Sequence, residues 1–269
     1  MHKTALALGA AALFSLGGCA KNAEPQADAR ALTDQTVQSV NWFQTSGEYR
    51  ALAWQAFNAA RLSWDAAPKA RGEKYAVIVD LDETMLDNSS YSAWQIKQAR
   101  AFDDRSWSRW GRAGQALAVP GAVDFANYIA GHGGTVFYVS NRDAADADAT
   151  AQNMRRLGFP QVSATTLRLK TDGSNKQQRF DQIAAEGYRV VMFIGDNLND
   201  YGAAAYHKTA DQRRRFADDN RRAFGTRFIV LPNPMYGDWE GALAPGYYKL
   251  TPRQQAQVQR DTLRAWGGE

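Results

Sequence analysis

Four short runs rich in β-branched and aromatic residues punctuate this chain, at residues 75–79, 135–139, 190–194 and 227–231. Each is too short and too uniformly apolar for a helix with a wet face, and reads as a strand buried on both sides. Helical patterns fill the gaps at residues 121–130, 144–157 and 175–186. Strands alternating with helices predict an α/β fold, a parallel sheet with helices on both faces. Ligands in such sheets bind beyond the carboxyl ends of the strands. The residues just after each run therefore carry the functional question.

The first run ends in Asp80-Leu81-Asp82-Glu83-Thr84, the second in Ser140-Asn141-Arg142, and the third in Gly195-Asp196-Asn197-Leu198-Asn199-Asp200. Ahead of the third, Ser174-Asn175-Lys176-Gln177 opens a helix with a capping-box pattern, Ser174 bonding forward and Gln177 back. Burying the Asp80 carboxylate unpaired behind an apolar strand would cost several kcal/mol. A helix cap accounts for one aspartate, but not for Asp80, Asp82 and Asp196 gathered on one rim. Crowded carboxylates repel, and a cation is the natural resolution. One cysteine and three scattered histidines (His2, His132, His207) leave no cluster for zinc. Oxygen-only ligands select Mg²⁺.

The ordered set Asp80-x-Asp82-x-Thr84, Ser140, Lys176 and Gly195-Asp196-x-x-x-Asp200 resembles the four motifs of the haloacid-dehalogenase-like (HAD) superfamily. More narrowly, residues 78–91 (IVDLDETMLDNSSY) resemble a signature of the class C bacterial acid phosphatases, and residues 191–200 their second signature. Residues 44–52 and Leu231-Pro232-Asn233 look like that class as well. The likeness implies a Rossmann-like HAD core with a small, mainly helical cap and N-terminal region. It also implies an Mg²⁺-dependent acid phosphatase, acting on phosphate monoesters such as nucleoside monophosphates and aryl phosphates.

On that reading Asp80 is the nucleophile and forms an aspartyl-phosphate, splitting one hard step into two. Asp82 protonates the leaving oxygen and later deprotonates the attacking water. Mg²⁺ is held by Asp80, the Asp82 backbone carbonyl and Asp196. Asp200 stands behind them, holding a water of the metal or Lys176. Ser140, the Asn141 amide and Lys176 bind the phosphoryl oxygens. Trp107 and Tyr236 are read as a pair that stacks a flat leaving group.

The beginning of the chain carries a different signal. A basic start, an apolar stretch of about a dozen residues and small residues before Cys19 describe an export leader. Leu16-Gly17-Gly18-Cys19 resembles a lipobox, which implies that Cys19 is lipidated. Ala20 after it, in place of Asp, implies anchoring at the outer membrane; the simpler alternative is a secretory leader with an incidental cysteine. The organisation read from the sequence is a leader at 1–18, a tether at 19–31, N-terminal helices at 32–74, and a core at 75–269 with a cap insert at about 88–119. The family likeness implies a homodimer.

A net charge of +4, from 32 basic and 28 acidic residues spread along the chain, gives no footprint for nucleic acid. The run Arg213-Arg214-Arg215, with Asp218-Asp219 nearby, reads as a solvated helix face. Two other function classes compete with the hydrolase: a surface binding lipoprotein with a vestigial site, and a phosphotransferase on the same fold.

Overall fold

The computed structural model describes residues 20–268; the leader and Cys19 lie outside the described residues. Seven strands are present among the described residues: β1 (Lys74–Val79), β2 (Leu86–Asp87), β3 (Leu117–Ala118), β4 (Thr135–Asp143), β5 (Leu167–Lys170), β6 (Tyr188–Gly195) and β7 (Phe228–Val230). Five of them form one parallel sheet in the order β5-β4-β1-β6-β7. The chain leaves β1 toward β4 and β5, then returns to its other side with β6 and β7. A crevice opens at such a switch point, and Asp80 is the first residue beyond β1.

Period-two alternation divides the core. Val77 and Val79 of β1 face one buried cluster with Val136, Tyr138, Met192 and Ile194, whereas Ala76 and Ile78 face another with Phe137, Val139 and Phe193. Helices α2 (Val37–Thr45), α3 (Gly47–Ala66), α6 (Ala122–Gly131) and α7 (Ala147–Leu157) supply side chains to the first cluster. Phe180 and Ile183 of α8 (Gln177–Ala185) and Phe216 of α9 (Ala210–Asp219) cover the second. The Ser46 hydroxyl caps α3 by accepting from Tyr49 N at 3.0 Å, and the helix ends just before Pro68. Its stripe of Tyr49, Ala53, Phe57, Ala60 and Trp64 is buried in the same cluster as the sheet. Each large ring there contributes roughly 1.5–3 kcal/mol. The N-terminal helices therefore share the core of the sheet.

Two differences from the sequence expectations have simple causes. The stretch expected as a tether is helical: α1 (Ala20–Thr33) packs along α11 (Pro252–Asp261), and Gln35 Nε2 donates to the Ala256 carbonyl at 3.3 Å. Its alanines favour helix, and Ala29 and Thr33, four residues apart, are buried. Strand β5 was not anticipated, because Leu-Arg-Leu-Lys at a sheet edge carries the charges that protect an edge and hides its apolar signal.

Strands β2 and β3 pair antiparallel, Leu86 with Ala118 and Asp87 with Leu117, and close the base of the segment between them. That segment holds α4 (Ser89–Gln98) and α5 (Asp104–Ala113), which stand over the carboxyl end of the sheet. The short α10 (Asp238–Gly241) follows β7 on the same rim.

Candidate active site

Asp80 extends the ladder of β1, its N–H donating to the Ile194 carbonyl at 2.9 Å, and its carboxylate is buried. Lys176, the residue before α8, bonds the Asp80 carboxylate and lies 2.7 Å from Asp200 Oδ1. Asp196 follows β6 and accepts from Thr84 Oγ1 at 3.3 Å and Asn233 Nδ2 at 2.8 Å. The other Asp200 oxygen caps a short turn, accepting from Asn197 N at 3.0 Å. Gly195 is required here: a Cβ at that position would overlap the Asp200 carboxylate. A left-handed residue, Glu83 (φ 57°), folds the chain back after Asp82 and brings Thr84 to Asp196.

Carboxylate oxygens of Asp80, Asp196 and Asp200 lie within 4.8 Å of one another. Burial, offset by Lys176 and reinforced by Asp200 and Asp82, pushes the Asp80 carboxyl up to about 7. Burial and the neighbouring carboxylates push Asp196 well above the ordinary carboxylate range. Burial pulls Lys176 down, but Asp200 and Asp80 together hold it above its ordinary range and keep it charged. One ammonium among three carboxylates, those of Asp80 and Asp200 buried and that of Asp196 half-buried, leaves negative charge uncompensated. The donor set is oxygen only, so a hard divalent cation fits. Asp200, which the sequence reading set behind the metal, contributes the third side chain of this cluster.

The Asp82 side chain points elsewhere. It accepts from Asn88 Nδ2 at 2.9 Å, Arg142 Nε at 2.8 Å and Ser140 Oγ at 3.2 Å. Ser140 is fully buried. The Asn141 side chain donates to the Ser174 carbonyl (2.9 Å) and accepts from Arg179 (2.6 Å). The expected capping box at Ser174 does not form. Gln177 is already the first helical residue, its N–H goes to Asn175 Oδ1 at 3.0 Å, and Ser174 pairs with the Tyr206 hydroxyl at 2.6 Å.

Asp80, Asp82, Lys176, Asp196 and Asp200 line a cavity of about 1220 Å³ that also takes in Asn141, Trp107 and Tyr236. Trp107 stands edge-on to Tyr91, ring centres 5.1 Å apart, and the Tyr236 hydroxyl is buried without a partner. Sequence reasoning assigned no role to Arg142, Asn88, Asn233 or Arg179. Arg142 directly follows Ser140-Asn141 at a strand end, which was the available signal. The reading of residues 213–215 as a solvated face is corrected at Arg213. This side chain is buried and donates to Asn197 Oδ1 (2.9 Å), Asn199 Oδ1 (3.0 Å), the Ala205 carbonyl (2.8 Å) and Asp238 Oδ2 (3.1 Å). The bonds to Asn197 and Asn199 tie α9 to the loop after β6.

Glu240, on the same cavity wall, is raised by burial to about 7. Between about pH 4.5 and about pH 7 the folded chain keeps a proton that the unfolded chain has lost, so its stability falls as pH rises through that window. Glu240→Gln does not titrate. Its stability should gain on the wild type across that window, by roughly 1–3 kcal/mol at the alkaline end. A gap between the two unfolding curves that stays constant with pH would contradict this.

The family model of the HAD superfamily, subfamily IIIB (acid phosphatase), matches residues 7–239. Acid phosphatase 1 of Solanum lycopersicum is 26% identical over 164 residues, 59% of this chain and 57% of that protein. The stem 31 kDa glycoprotein of Glycine max is 26% identical over 164 residues, 59% of this chain and 58% of that protein. The chain thus spans less than three fifths of the length of these curated relatives. The class C acid phosphatase of Bacillus anthracis superposes with a TM-score of 0.83 at 35% identity, covering 88% of this chain and 99% of that one. Its tungstate-bound form superposes equally well. A family match over most of the sequence, joined to a structural likeness across a whole domain, leaves one placement: the chain belongs to subfamily IIIB of the HAD superfamily, among the class C acid phosphatases.

Proposed function

We propose that this chain hydrolyses phosphate monoesters, nucleoside monophosphates and aryl phosphates among them, through an aspartyl-phosphate on Asp80. The observation that carries the reading is Asp80 itself, a buried carboxylate paired with Lys176 on the wall of a cavity ringed by aromatic side chains. An Asp80 oxygen attacks phosphorus, the bond to the leaving oxygen breaks, and Asp82 gives that oxygen its proton. Water then attacks the phosphorus of the aspartyl-phosphate, Asp82 takes the water's proton, and the bond to Asp80 breaks to release inorganic phosphate. Lys176, the Asn141 amide and the Ser140 hydroxyl, once it turns from Asp82 Oδ2, are the donors for the phosphoryl oxygens. Asp80, Asp196 and Asp200, with the Asp82 carbonyl, are the residues that would hold Mg²⁺. When bound, the ion offsets negative charge between the nucleophile and the phosphoryl group.

The volume of the cavity leaves room for a ring beyond the phosphate, and the stacking role is assigned to Trp107 and Tyr236, which line it. Inorganic phosphate release from a nucleoside monophosphate, an aryl phosphate and a sugar phosphate, assayed side by side, tests the proposal. Release from the first two, abolished by EDTA and restored by Mg²⁺, is expected. Binding without release, or transfer to an alcohol without hydrolysis, would replace it with a binding protein or a phosphotransferase.

The same reading places the protein in the cell envelope as a homodimer, anchored at the outer membrane by a lipid on Cys19. Among the described residues no helix is long and apolar enough to cross a membrane. Cys19→Ser should leave an active protein that fractionates away from the membrane. A variant still extracted only by detergent would overturn the lipid as sole anchor.

A further inference from the structure

The Asp82 carboxylate is gripped by one oxygen. Its Oδ1 accepts from Asn88 Nδ2 at 2.9 Å and Arg142 Nε at 2.8 Å, and a terminal nitrogen of Arg142 also lies 2.8 Å from it. Among the described residues its Oδ2 accepts from Ser140 Oγ alone, at 3.2 Å. Arg142 is 3% exposed, and its terminal nitrogens are also committed to Asn88 Oδ1 (2.9 Å) and Thr150 Oγ1 (3.4 Å). The fork is thus occupied, which argues against Arg142 as a ligand for the phosphoryl group. Two indoles of α5 reach the same assembly. Trp110 Nε1 donates to Asn88 Oδ1 at 2.8 Å, and the Arg142 guanidinium lies 5.7 Å from the centre of the Trp107 ring.

We propose that Arg142 is a positioning residue for the proton transfer. With Asn88 it fixes Asp82 Oδ1, so that Oδ2 is the oxygen that meets the leaving group. Trp107 and Trp110 tie that clamp to the wall where the leaving group sits. The inference rests on the phosphate-ester reading above. In the first half-reaction the proton passes from Asp82 Oδ2 to the leaving oxygen as the P–O bond breaks; in the second it returns to Oδ2 from water.

The test uses the full chain with Mg²⁺, in single-turnover bursts on an alkyl phosphate and on nitrophenyl phosphate. Arg142→Lys should slow the burst with the alkyl ester by about 10–100-fold, part of the usual worth of a placed proton donor. The nitrophenyl burst should slow far less, since that leaving oxygen needs little protonation. The substrate concentration for half-maximal rate should change little for either ester. Arg142→Ala should recover part of the alkyl burst when guanidinium ion is added. Trp110→Phe, which removes one N–H and no charge, should give the same pattern at smaller size if the Arg142 variants fail to fold. Equal losses for the two esters, or a loss confined to substrate affinity, would overturn the proposal and make Arg142 a phosphate ligand or a purely structural group. Failure of the wild type to hydrolyse either ester would instead remove the reading on which it rests, and the proposal with it.

Discussion

Asp80→Asn should lose turnover by on the order of 10⁴-fold or more, as removal of a nucleophile does when the remaining groups act as a unit with it. The amide is no nucleophile and a poorer ligand for a hard cation. The variant should nevertheless fold. Asp80 holds its place through the backbone bond to Ile194, and Lys176 keeps Asp200 as its partner when the Asp80 charge is gone. Lower charge crowding beside Asp196 should even favour the metal-free state. Phosphate release by a preparation free of wild-type protein would contradict the assignment of Asp80. Loss of the cooperative unfolding transition would show that its carboxylate serves the fold.

Lys176→Met should produce the largest loss of stability. The ammonium is 5% exposed and faces two buried carboxylates. Removing one partner of such a cluster leaves charge uncompensated, at a cost of about 3–5 kcal/mol. Turnover should also fall by roughly 10²-fold or more, because the proposed mechanism loses its fixed cation for the phosphoryl oxygens. Mg²⁺ should raise the unfolding temperature of the variant by more than it raises that of the wild type, since a divalent cation among Asp80, Asp196 and Asp200 supplies the missing counter-charge. A variant as stable as the wild type without added cation would show that Lys176 is not the counter-charge of this cluster.

Much of this arrangement was legible because the chemistry sits at strand ends. Asp80, Ser140 and Asp196 each follow an apolar run, and parallel strands bring such positions to one rim whatever their separation along the chain. Lys176 and Asp200 join the same cluster from a helix start and from the turn after β6. The grip on Asp82 was not legible. It depends on Arg142, 60 residues away, whose side chain acquires meaning only once β4 lies beside β1. Arg213 was misread for the same reason: three consecutive arginines look alike in sequence, and only tertiary packing turns one of them inward. The helix α1 was hidden because its partner α11 lies at the far end of the chain.

The central claim is a covalent phosphoryl group on Asp80, and trapping it is the most direct test. Wild-type protein with Mg²⁺, mixed with nitrophenyl phosphate and quenched in acid within the burst, should carry one phosphoryl group. Peptide mass spectrometry should map it to the segment containing Asp80, and Asp80→Asn treated in the same way should carry none. Steady release of phosphate with no covalent species at any quench time, or a phosphoryl group mapped to another residue, would contradict the account.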